Sequence, residues 1–403
     1  MKRYGGLWPQ VIDWQNLLLA AAKAQRGKRD RRCVQRFNFD QEQSLCRLQD
    51  ALSSGAWCPG SFTTHWITRP KPRMISAAPY PDRVVHHAIM NVLEPLLDRH
   101  FHPHSYACRQ GKGTHAAADR VQRLMRRNTH LLQCDVRKFF PSIDHEILKD
   151  VFRQRIKDRR LLSVLDRLVD GANTQERTME WFEGDDLLTP ASRRRGLPIG
   201  NLTSQWFSNW YLDELDHHLT SGLGIGGYVR YCDDFMLFHN DRERLKDARA
   251  VVQDRLAGLR LRLHEHKTAI TPSRAGATFV GFRIWPTHRL LRKQNVHAFR
   301  RRVRWMQAAY QAGRLDWDAV KTRLNSWIGH ASMADSRHLI KRISREWVFL
   351  RGRTDRVSGG PRRQLEQQSQ ELPVCEPQQE QPRQPEQQQR VPCRPALEPG
   401  LPV

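Results

Sequence analysis

The segment from Tyr228 to His239, Tyr-Val-Arg-Tyr-Cys-Asp-Asp-Phe-Met-Leu-Phe-His, constrains the fold of this chain more than any other. Aromatic and β-branched residues flank a polar centre on both sides, which predicts two short strands joined by a tight turn. The turn places Asp233 and Asp234 side by side, and adjacent carboxylates repel each other unless a cation lies between them. A solvated hairpin tip is the simpler interpretation of such a pair. The apolar strands favour instead a pair held by a sheet, which needs a third carboxylate to build a two-ion site.

A candidate for the third carboxylate is Asp135, which follows the apolar run Leu131-Leu-Gln-Cys and precedes Val-Arg-Lys-Phe-Phe-Pro. This pattern predicts a strand that ends in an aspartate. Carboxylates from two strand ends suit Mg²⁺, which takes few protein ligands and completes its shell with water and phosphate oxygens. Two such ions about 3.5–4 Å apart can activate an attacking 3′-hydroxyl and stabilise a leaving pyrophosphate.

The Asp-x-x-x-Phe-Phe run at Asp135 and the Tyr-x-Asp-Asp run at Tyr231 resemble the palm of a reverse transcriptase. The resemblance covers roughly residues 60–350, with the motifs in the family's order. It implies an α+β fold of the right-hand polymerase type, with fingers, a palm built on an antiparallel sheet and a helical thumb. It also implies RNA-directed DNA synthesis with two Mg²⁺ ions. The catalytic residues that it implies are Asp135, Asp233, Asp234 and Lys267, and the metal-binding residues are the same three aspartates with Val136.

The net charge of +25 predicts a polyanionic partner. A basic protein of the membrane surface is the rival interpretation, but no apolar run approaches the ~18 residues of a membrane span, and the N-terminus lacks the apolar core of a signal peptide. Eight cysteines without a Cys-x-x-Cys pair indicate a reducing cytoplasm and argue against a zinc site. We therefore expect a cytoplasmic protein without membrane contact. The resemblance implies that its partners are an RNA template, a DNA or RNA primer and dNTPs.

The segment from Phe62 to His87 begins with alternating residues, turns at two prolines and returns at Arg73-Met-Ile, which predicts a β-hairpin. Cations on this hairpin can lie over a triphosphate, because guanidinium groups match phosphate oxygens. The hairpin resembles the fingers hairpin of reverse transcriptases. That resemblance assigns Arg73, and with it Lys71, to nucleotide binding.

Three further residues are assigned to nucleotide binding by the resemblance. Phe140 lies where the family has an aromatic residue beneath the sugar that excludes a 2′-hydroxyl, although core packing is the alternative for Phe140 and more so for Phe139. Ile199 and Gly200 belong to the turn Leu197-Pro-Ile-Gly, which precedes a helical pattern that Asn201 to Ser204 can cap.

The same turn indicates a branch of the family. Reverse transcriptases usually have Leu-Pro-Gln-Gly-x-x-x-Ser-Pro here, whereas this chain has Ile199 for the glutamine and Gln205 for the last proline. This form resembles the reverse transcriptases of diversity-generating retroelements. It implies a prokaryotic or phage origin, error-prone copying of template adenines and a small basic accessory protein. One alternative is a group II intron enzyme, which usually has a maturation domain that we do not find in this sequence. A second is a retron enzyme, whose Val-Thr-Gly thumb motif is not found here either. A third is a catalytically idle RNA-binding protein such as a maturase.

Several residues are expected to contact nucleic acid. The segment Ser105-Tyr-Ala-Cys-Arg-Gln-Gly-Lys-Gly resembles a family motif, and arginines of the predicted thumb can follow a duplex backbone by charge. The residues assigned to nucleic-acid binding are Arg109, Lys112, Gln205, Arg300 and Arg304. Lys267 ends a predicted strand that begins at Leu261, and the resemblance makes it a proton donor to pyrophosphate; an exposed lysine at a strand end is the alternative.

The domain boundaries follow from these patterns. We expect a basic helical N-terminal segment over 1–60, fingers over 61–134, a palm over 135–290 with an insert at 145–195, and a helical thumb over 291–355. Residues 361–403 contain nine prolines, eleven glutamines and no aromatic residue. Such a composition does not bury enough surface to fold, so the region 356–403 is expected to be a disordered tail.

Overall fold

The computed structural model describes residues 3–68, 72–172 and 180–351. Four helices form its N-terminal part. Its apolar residues recur at helical spacing, so that each helix buries one face, as Leu17, Ala20 and Ala24 do in the second helix. The helices are α1 (Trp8–Ile12), α2 (Trp14–Ala24), α3 (Arg32–Phe39) and α4 (Gln41–Ser54). The helical character predicted for the N-terminal segment is confirmed.

An exposed two-stranded hairpin follows, formed by β1 (Thr63–Ile67) and β2 (Arg73–Ala77). The two strands pair antiparallel with Ile67 opposite Arg73, which confirms the hairpin predicted from the sequence. Lys71 lies outside the described residues. The hairpin leads into α5 (Tyr80–Asp98), which packs against α2, and then into α6 (Thr114–Arg127).

The next strand, β3 (His130–Asp135), ends at its aspartate as predicted. The sequence from about Asp144 to Leu168 predicts a single helix, and this prediction is wrong because the structure has two helices there. The chain breaks between two helices because the Asp158 side chain accepts hydrogen bonds from the backbone amides of Leu161 and Trp8, which starts a new helix. The helices after β3 are α7 (Phe139–Ser142), α8 (His145–Arg155), α9 (Arg159–Asp170), α10 (Thr189–Ser192), α11 (Leu202–Tyr211) and α12 (Asp213–His217).

The central sheet is completed by β4 (Gly227–Tyr231), β5 (Asp234–His239) and β6 (Ala269–Pro272), with α13 (Arg242–Gly258) between the last two. Its strand order is β4-β5-β3-β6, and neighbouring strands are antiparallel. The strand predicted over 261–267 is wrong. The amides of Lys267 and Thr268 both donate to the carbonyl oxygen of His264, at 3.1 and 3.0 Å, and this closes a tight turn before β6 begins.

A second sheet and three helices form the C-terminal part of the described chain. The strands are β7 (Ala277–Phe279), β8 (Phe282–Ile284) and β9 (Arg289–Leu291), and the helices are α14 (Lys293–Gln311), α15 (Trp317–Ala331) and α16 (Arg337–Ser344). The ring of Phe299 stacks on Trp327 with 3.9 Å between centroids, so α14 and α15 share an aromatic core. The helical character predicted for the thumb is confirmed.

The mixture of helices and antiparallel sheets confirms the expected α+β class. The described residues belong to one compact unit, and the domain boundaries stay predictions. The tail predicted over 356–403 lies outside the described residues. Within the described ranges, every helix is too short or too polar to cross a membrane.

Candidate active site

Three aspartates lie at one edge of the central sheet. Asp135 ends β3 and Asp234 begins β5, and the two residues are direct partners in the antiparallel register. Asp233 precedes Asp234 in the turn after β4, and its carbonyl oxygen accepts a hydrogen bond of 3.2 Å from the amide of Val136. The sheet therefore brings together the carboxylates of two distant segments, because strand pairing fixes their positions.

The electrostatics of this edge disfavour the negative charge that it carries. The pKa of Asp234 is raised to about 8, first by burial and then by the neighbouring negative charges of Asp135 and Asp233. Burial also raises the pKa of Asp233, with Asp135 adding to the effect and the positive charges of Arg73 and Lys267 opposing it. Within the described part of the chain, the buried Oδ1 atom of Asp234 has no hydrogen-bond partner. A buried carboxylate oxygen without a partner is a fitting ligand for a cation.

Lys267 supplies positive charge to the same edge. Its Nζ atom lies 2.9 Å from Oδ2 and 3.1 Å from Oδ1 of Asp135, and the carbonyl oxygen of Asp135 accepts a hydrogen bond from the His264 amide. The turn that replaced the predicted strand is what places the lysine there. No three His, Cys, Asp or Glu side chains of the described residues are grouped closely enough to hold a metal ion as they stand. The donor set nevertheless suits Mg²⁺ once the ammonium group moves aside.

The hairpin of β1 and β2 contributes Arg73, whose charge acts on Asp233 as described above. The hairpin is clamped to the turn at Leu197–Gly200. The amide of Ser76 donates to the Ile199 carbonyl oxygen at 3.0 Å. Gly200 has φ +113°, and a Cβ atom there would lie 2.8 Å from Cγ2 of Ile75, so only glycine allows this approach.

Asn201 was expected to cap α11, but its side chain instead binds the backbone at the end of β2 and so helps to hold the hairpin against the turn. Its Oδ1 atom accepts from the Ala78 amide at 3.3 Å, and its Nδ2 atom donates to the Ser76 carbonyl oxygen at 3.1 Å. A side chain with both donors and an acceptor can satisfy an extended backbone in this way. The turn that carries Ile199 and the hairpin that carries Arg73 are thus one rigid assembly.

The two phenylalanines after Asp135 differ in burial. Phe139 is 2% exposed and belongs to the core, whereas Phe140 is half-buried, with 5.5 Å between the two ring centroids. The carbonyl oxygen of Phe140 accepts a hydrogen bond of 2.9 Å from the Leu197 amide. Phe140 therefore lies beside the turn that carries Ile199, and its role under a sugar stays a prediction.

The residues assigned to nucleic acid have different surroundings. The Arg109 side chain is 4% exposed and binds the Asp98 carboxylate and three backbone carbonyl oxygens, so it braces the loop rather than facing a ligand. Lys112 donates to a backbone carbonyl oxygen at 2.8 Å and lies over the Tyr106 ring. Gln205 is exposed and accepts from Cys108 Sγ.

On α14, Arg300 forms an ion pair of 2.8 Å with Glu346, while Arg304 is exposed. Both line an open cleft together with Gln294, His297 and Arg301. The cleft carries several cations on one helix face, which is a surface suited to phosphate groups.

One residue beside the aspartates was missed in the sequence. Arg230 lies in β4, is fully buried, and donates a hydrogen bond to the backbone next to Asp233. The signal for it was present, because an arginine inside an aromatic and β-branched strand is rarely buried without a specific partner.

The chain is similar to several known proteins. The family model described as reverse transcriptase (RNA-dependent DNA polymerase) matches residues 67–284. The chain is 25% identical over 288 residues to the protein YkfC of Escherichia coli (strain K12), a match that covers 62% of this chain and 71% of that protein. It is 27% identical over 171 residues to the mitochondrial protein nuclear intron maturase 4 of Arabidopsis thaliana, covering 42% of this chain and 20% of that protein.

A solved structure of apo telomerase from Candida tropicalis, truncated from its C-terminal domain, superposes with a TM-score of 0.44 at 14% identity. The match covers 60% of this chain and 58% of the telomerase chain. The chain thus spans only part of the telomerase chain and of the plant maturase.

Proposed function

Because the chain belongs to the reverse transcriptase (RNA-dependent DNA polymerase) family, we propose that it copies an RNA template into DNA from a DNA or RNA primer, with dNTPs as substrates. The observation that supports this most directly is the register of the central sheet. It sets Asp135 opposite Asp234, with Asp233 next to them. Three carboxylates on two strand ends are what nucleotidyl transfer by two Mg²⁺ ions requires.

In this proposal Asp135, Asp233 and Asp234 would hold the ions. Val136 would contribute its backbone carbonyl oxygen, because a valine side chain has no ligand atom. Bound Mg²⁺ would help to activate the primer 3′-hydroxyl and to neutralise the leaving pyrophosphate. The unpartnered Oδ1 atom of Asp234 and the raised pKa of both hairpin aspartates support a cation there.

The chain's own residues then act on the substrate. The 3′-hydroxyl oxygen forms a bond to the α-phosphorus of the dNTP, and the bond from that phosphorus to the pyrophosphate breaks. Arg73 and Lys71 bind the triphosphate, and Lys267 gives a proton to the departing pyrophosphate. Phe140 lies beneath the sugar, and Ile199 and Gly200 support the nucleotide. The clamp between β2 and the Ile199 turn supports a nucleotide site built from both.

We further propose that the chain belongs to the diversity-generating retroelement branch and makes adenine-mutagenic cDNA in a prokaryotic or phage-infected cytoplasm. The support is the sequence of one turn and helix start, Leu197-Pro-Ile-Gly-Asn-Leu-Thr-Ser-Gln. A small basic accessory protein is the partner that goes with this branch.

A second candidate function is RNA binding without synthesis, as in a maturase. It is favoured by the similarity to a protein named as an intron maturase. The intact aspartate set argues for synthesis, since an RNA scaffold has no need of three repelling carboxylates at one sheet edge.

Primer extension separates the two functions. The purified chain is incubated with an RNA template, an annealed labelled primer, dNTPs and Mg²⁺, and RNA binding is measured in parallel by gel mobility. We expect extension to the template end. RNA binding without incorporation would support the maturase-like function and contradict the polymerase.

A further inference from the structure

Arg230 is buried completely in the sheet beside the three aspartates. A guanidinium group has five N–H donors, and here each of them has an acceptor. Nε and Nη2 donate to the two carboxylate oxygens of Asp216 at 2.7 and 2.5 Å, and Nη2 also donates to the Asn209 carbonyl oxygen at 3.3 Å. Nη1 donates to Oδ1 of Asn209 and to the carbonyl oxygen of Cys232, both at 3.1 Å.

The bond to Cys232 reaches the turn that carries the aspartates. Cys232 directly precedes Asp233 and has φ +59°, a left-handed conformation that a residue with a Cβ atom adopts at a cost. Such a conformation persists only where surrounding groups hold it. The Arg230 guanidinium group holds the carbonyl group of this residue, so it acts on the point where the chain turns from β4 into Asp233 and Asp234.

The guanidinium group is itself fixed from several sides. Asp216 is fully buried on α12, and its Oδ1 atom also accepts from the Tyr228 hydroxyl group. Asn209 donates from Nδ2 to the carbonyl oxygen of Ala107 at 2.8 Å. The backbone of Arg230 pairs with the loop before α6, through its amide to His104 and its carbonyl oxygen to Tyr106, each at 2.9 Å. Three separate segments therefore determine where the Nη1 atom lies.

We propose that Arg230 is a positioning residue for nucleotidyl transfer, which holds the left-handed turn at Cys232 and thereby sets Asp233 and Asp234 against Asp135. Asp216 and Asn209 fix the guanidinium group for this task. The inference deepens the proposed polymerase function and rests on it for its catalytic readout. Misplacement of a reacting group by about 1 Å can cost on the order of 10²-fold in rate, so a small displacement of the turn is sufficient to be measured.

The alternative is that the ion pair merely stabilises the fold. A buried ion pair can often be replaced by apolar residues of similar volume without loss of stability. The double variant Arg230→Met with Asp216→Leu makes this replacement and removes the bond to Cys232. If the double variant melts near the wild-type temperature, we expect a loss of kcat on the order of 10²-fold and a higher Mg²⁺ concentration for half-maximal rate.

Arg230→Lys covers the case in which the double variant does not fold. Lysine keeps the positive charge opposite Asp216, but its three donors are on one compact ammonium group. They cannot reach all the acceptors on Asp216, Asn209 and Cys232 that the planar guanidinium group reaches. We expect a folded protein with the same catalytic defect. Adding Cys232→Gly should restore part of the lost rate, since glycine adopts positive φ without strain and needs less support.

Tyr228→Phe is the matched control. It removes the other donor to Asp216 and leaves the bond from Arg230 to Cys232 in place. We expect its kcat and its Mg²⁺ requirement to stay within about twofold of wild type, because the Tyr228 hydroxyl group contacts Asp216 and not the turn, so that its loss lowers stability without moving Cys232. If Tyr228→Phe and Arg230→Lys lose activity equally, the network acts through general stability, and the inference is overturned.

Hydrogen exchange provides a readout that does not depend on catalysis. Amides of the peptide covering 228–239 are compared by mass spectrometry in wild type, Arg230→Lys and Tyr228→Phe. We expect faster exchange around Cys232 to Phe235 in Arg230→Lys alone. Unchanged exchange together with unchanged kcat would overturn the inference. If the wild-type chain incorporates no nucleotide, the proposed function fails, while the exchange comparison still decides whether Arg230 holds the turn.

Discussion

Nζ of Lys267 lies 2.9 Å from Oδ2 of Asp135, the aspartate that faces Asp234 across the sheet. This ion pair is partly open to solvent, with 43% of the lysine and 27% of the aspartate side chain exposed. In the proposed reaction a lysine and a metal ion would compete for one carboxylate. In the proposed reaction the competition has a use, because binding of the ion to Asp135 would free the ammonium group to face the pyrophosphate.

Lys267→Met tests this competition. Without the ammonium group, Mg²⁺ should reach half-saturation at a lower concentration in a thermal-shift titration. The rate of nucleotide incorporation should fall, by about 10²-fold if the lysine is the proton donor. Lys267→Arg, which keeps the charge, should keep the ion pair but recover little of the rate. If neither the Mg²⁺ titration nor kcat changes in Lys267→Met, the residue is simply an exposed lysine.

The raised pKa of Asp234 predicts a dependence of stability on pH. Its value of about 8 in the folded protein lies above the usual 3.8, so the folded state binds this proton more tightly than the unfolded state. The stabilisation is complete below about pH 4 and is lost as the pH rises through 8. In EDTA, the contribution of Asp234 should therefore lower Tm between pH 5 and pH 8.

Asp234→Asn should lose this component of the pH dependence, and Mg²⁺ at pH 8 should raise Tm of the wild type more than that of the variant. Asp166→Asn is the control, since Asp166 forms a peripheral ion pair with Arg153. A wild-type Tm profile in EDTA that matches the Asp234→Asn profile would remove the buried carboxyl group as the cause.

Phe140→Ala tests the residue that we propose lies beneath the sugar. Removing the half-buried ring should allow ribonucleotides to be incorporated, measured as the ratio of kcat/KM for dNTP and rNTP. Phe139→Leu is the control, because Phe139 lies in the core and its shortening should lower Tm without changing sugar discrimination. Unchanged discrimination in Phe140→Ala would make Phe140 a packing residue.

Ile199→Gln tests the branch assignment. An amide at this turn can hydrogen-bond near the nucleotide and penalise a shifted pose, whereas an aliphatic side chain has no donor or acceptor. A difference of ~1.4 kcal/mol changes discrimination about tenfold. We expect the wild type to misincorporate chiefly opposite template adenines, and Ile199→Gln to lower that error rate in sequenced cDNA. Equal error spectra would exclude Ile199 as the cause.

Much of the site could be predicted because it depends on local pattern. The aromatic and β-branched residues around Asp233 and the apolar run before Asp135 predict strands with carboxylates at their ends, and the structure has these strands. Contacts between distant segments could not be predicted. The sequence shows that Arg230 lies in a strand, but only the fold shows that Asp216 and Asn209 meet it. The turn at Lys267 could not be predicted for the same reason, because it depends on a hydrogen bond from the His264 amide to the carbonyl oxygen of the distant Asp135.

The proposed polymerase requires Asp233 to hold a metal ion for RNA-templated synthesis. Asp233→Asn keeps the shape of the side chain and removes its charge, so the fold and RNA binding should persist. The measurement is single-turnover primer extension on an RNA template in Mg²⁺, with RNA affinity determined on the same preparations. We predict that the wild type extends the primer and that Asp233→Asn is slower by at least on the order of 10³-fold with an RNA Kd within about threefold of wild type. Extension by Asp233→Asn at the wild-type rate would contradict the account.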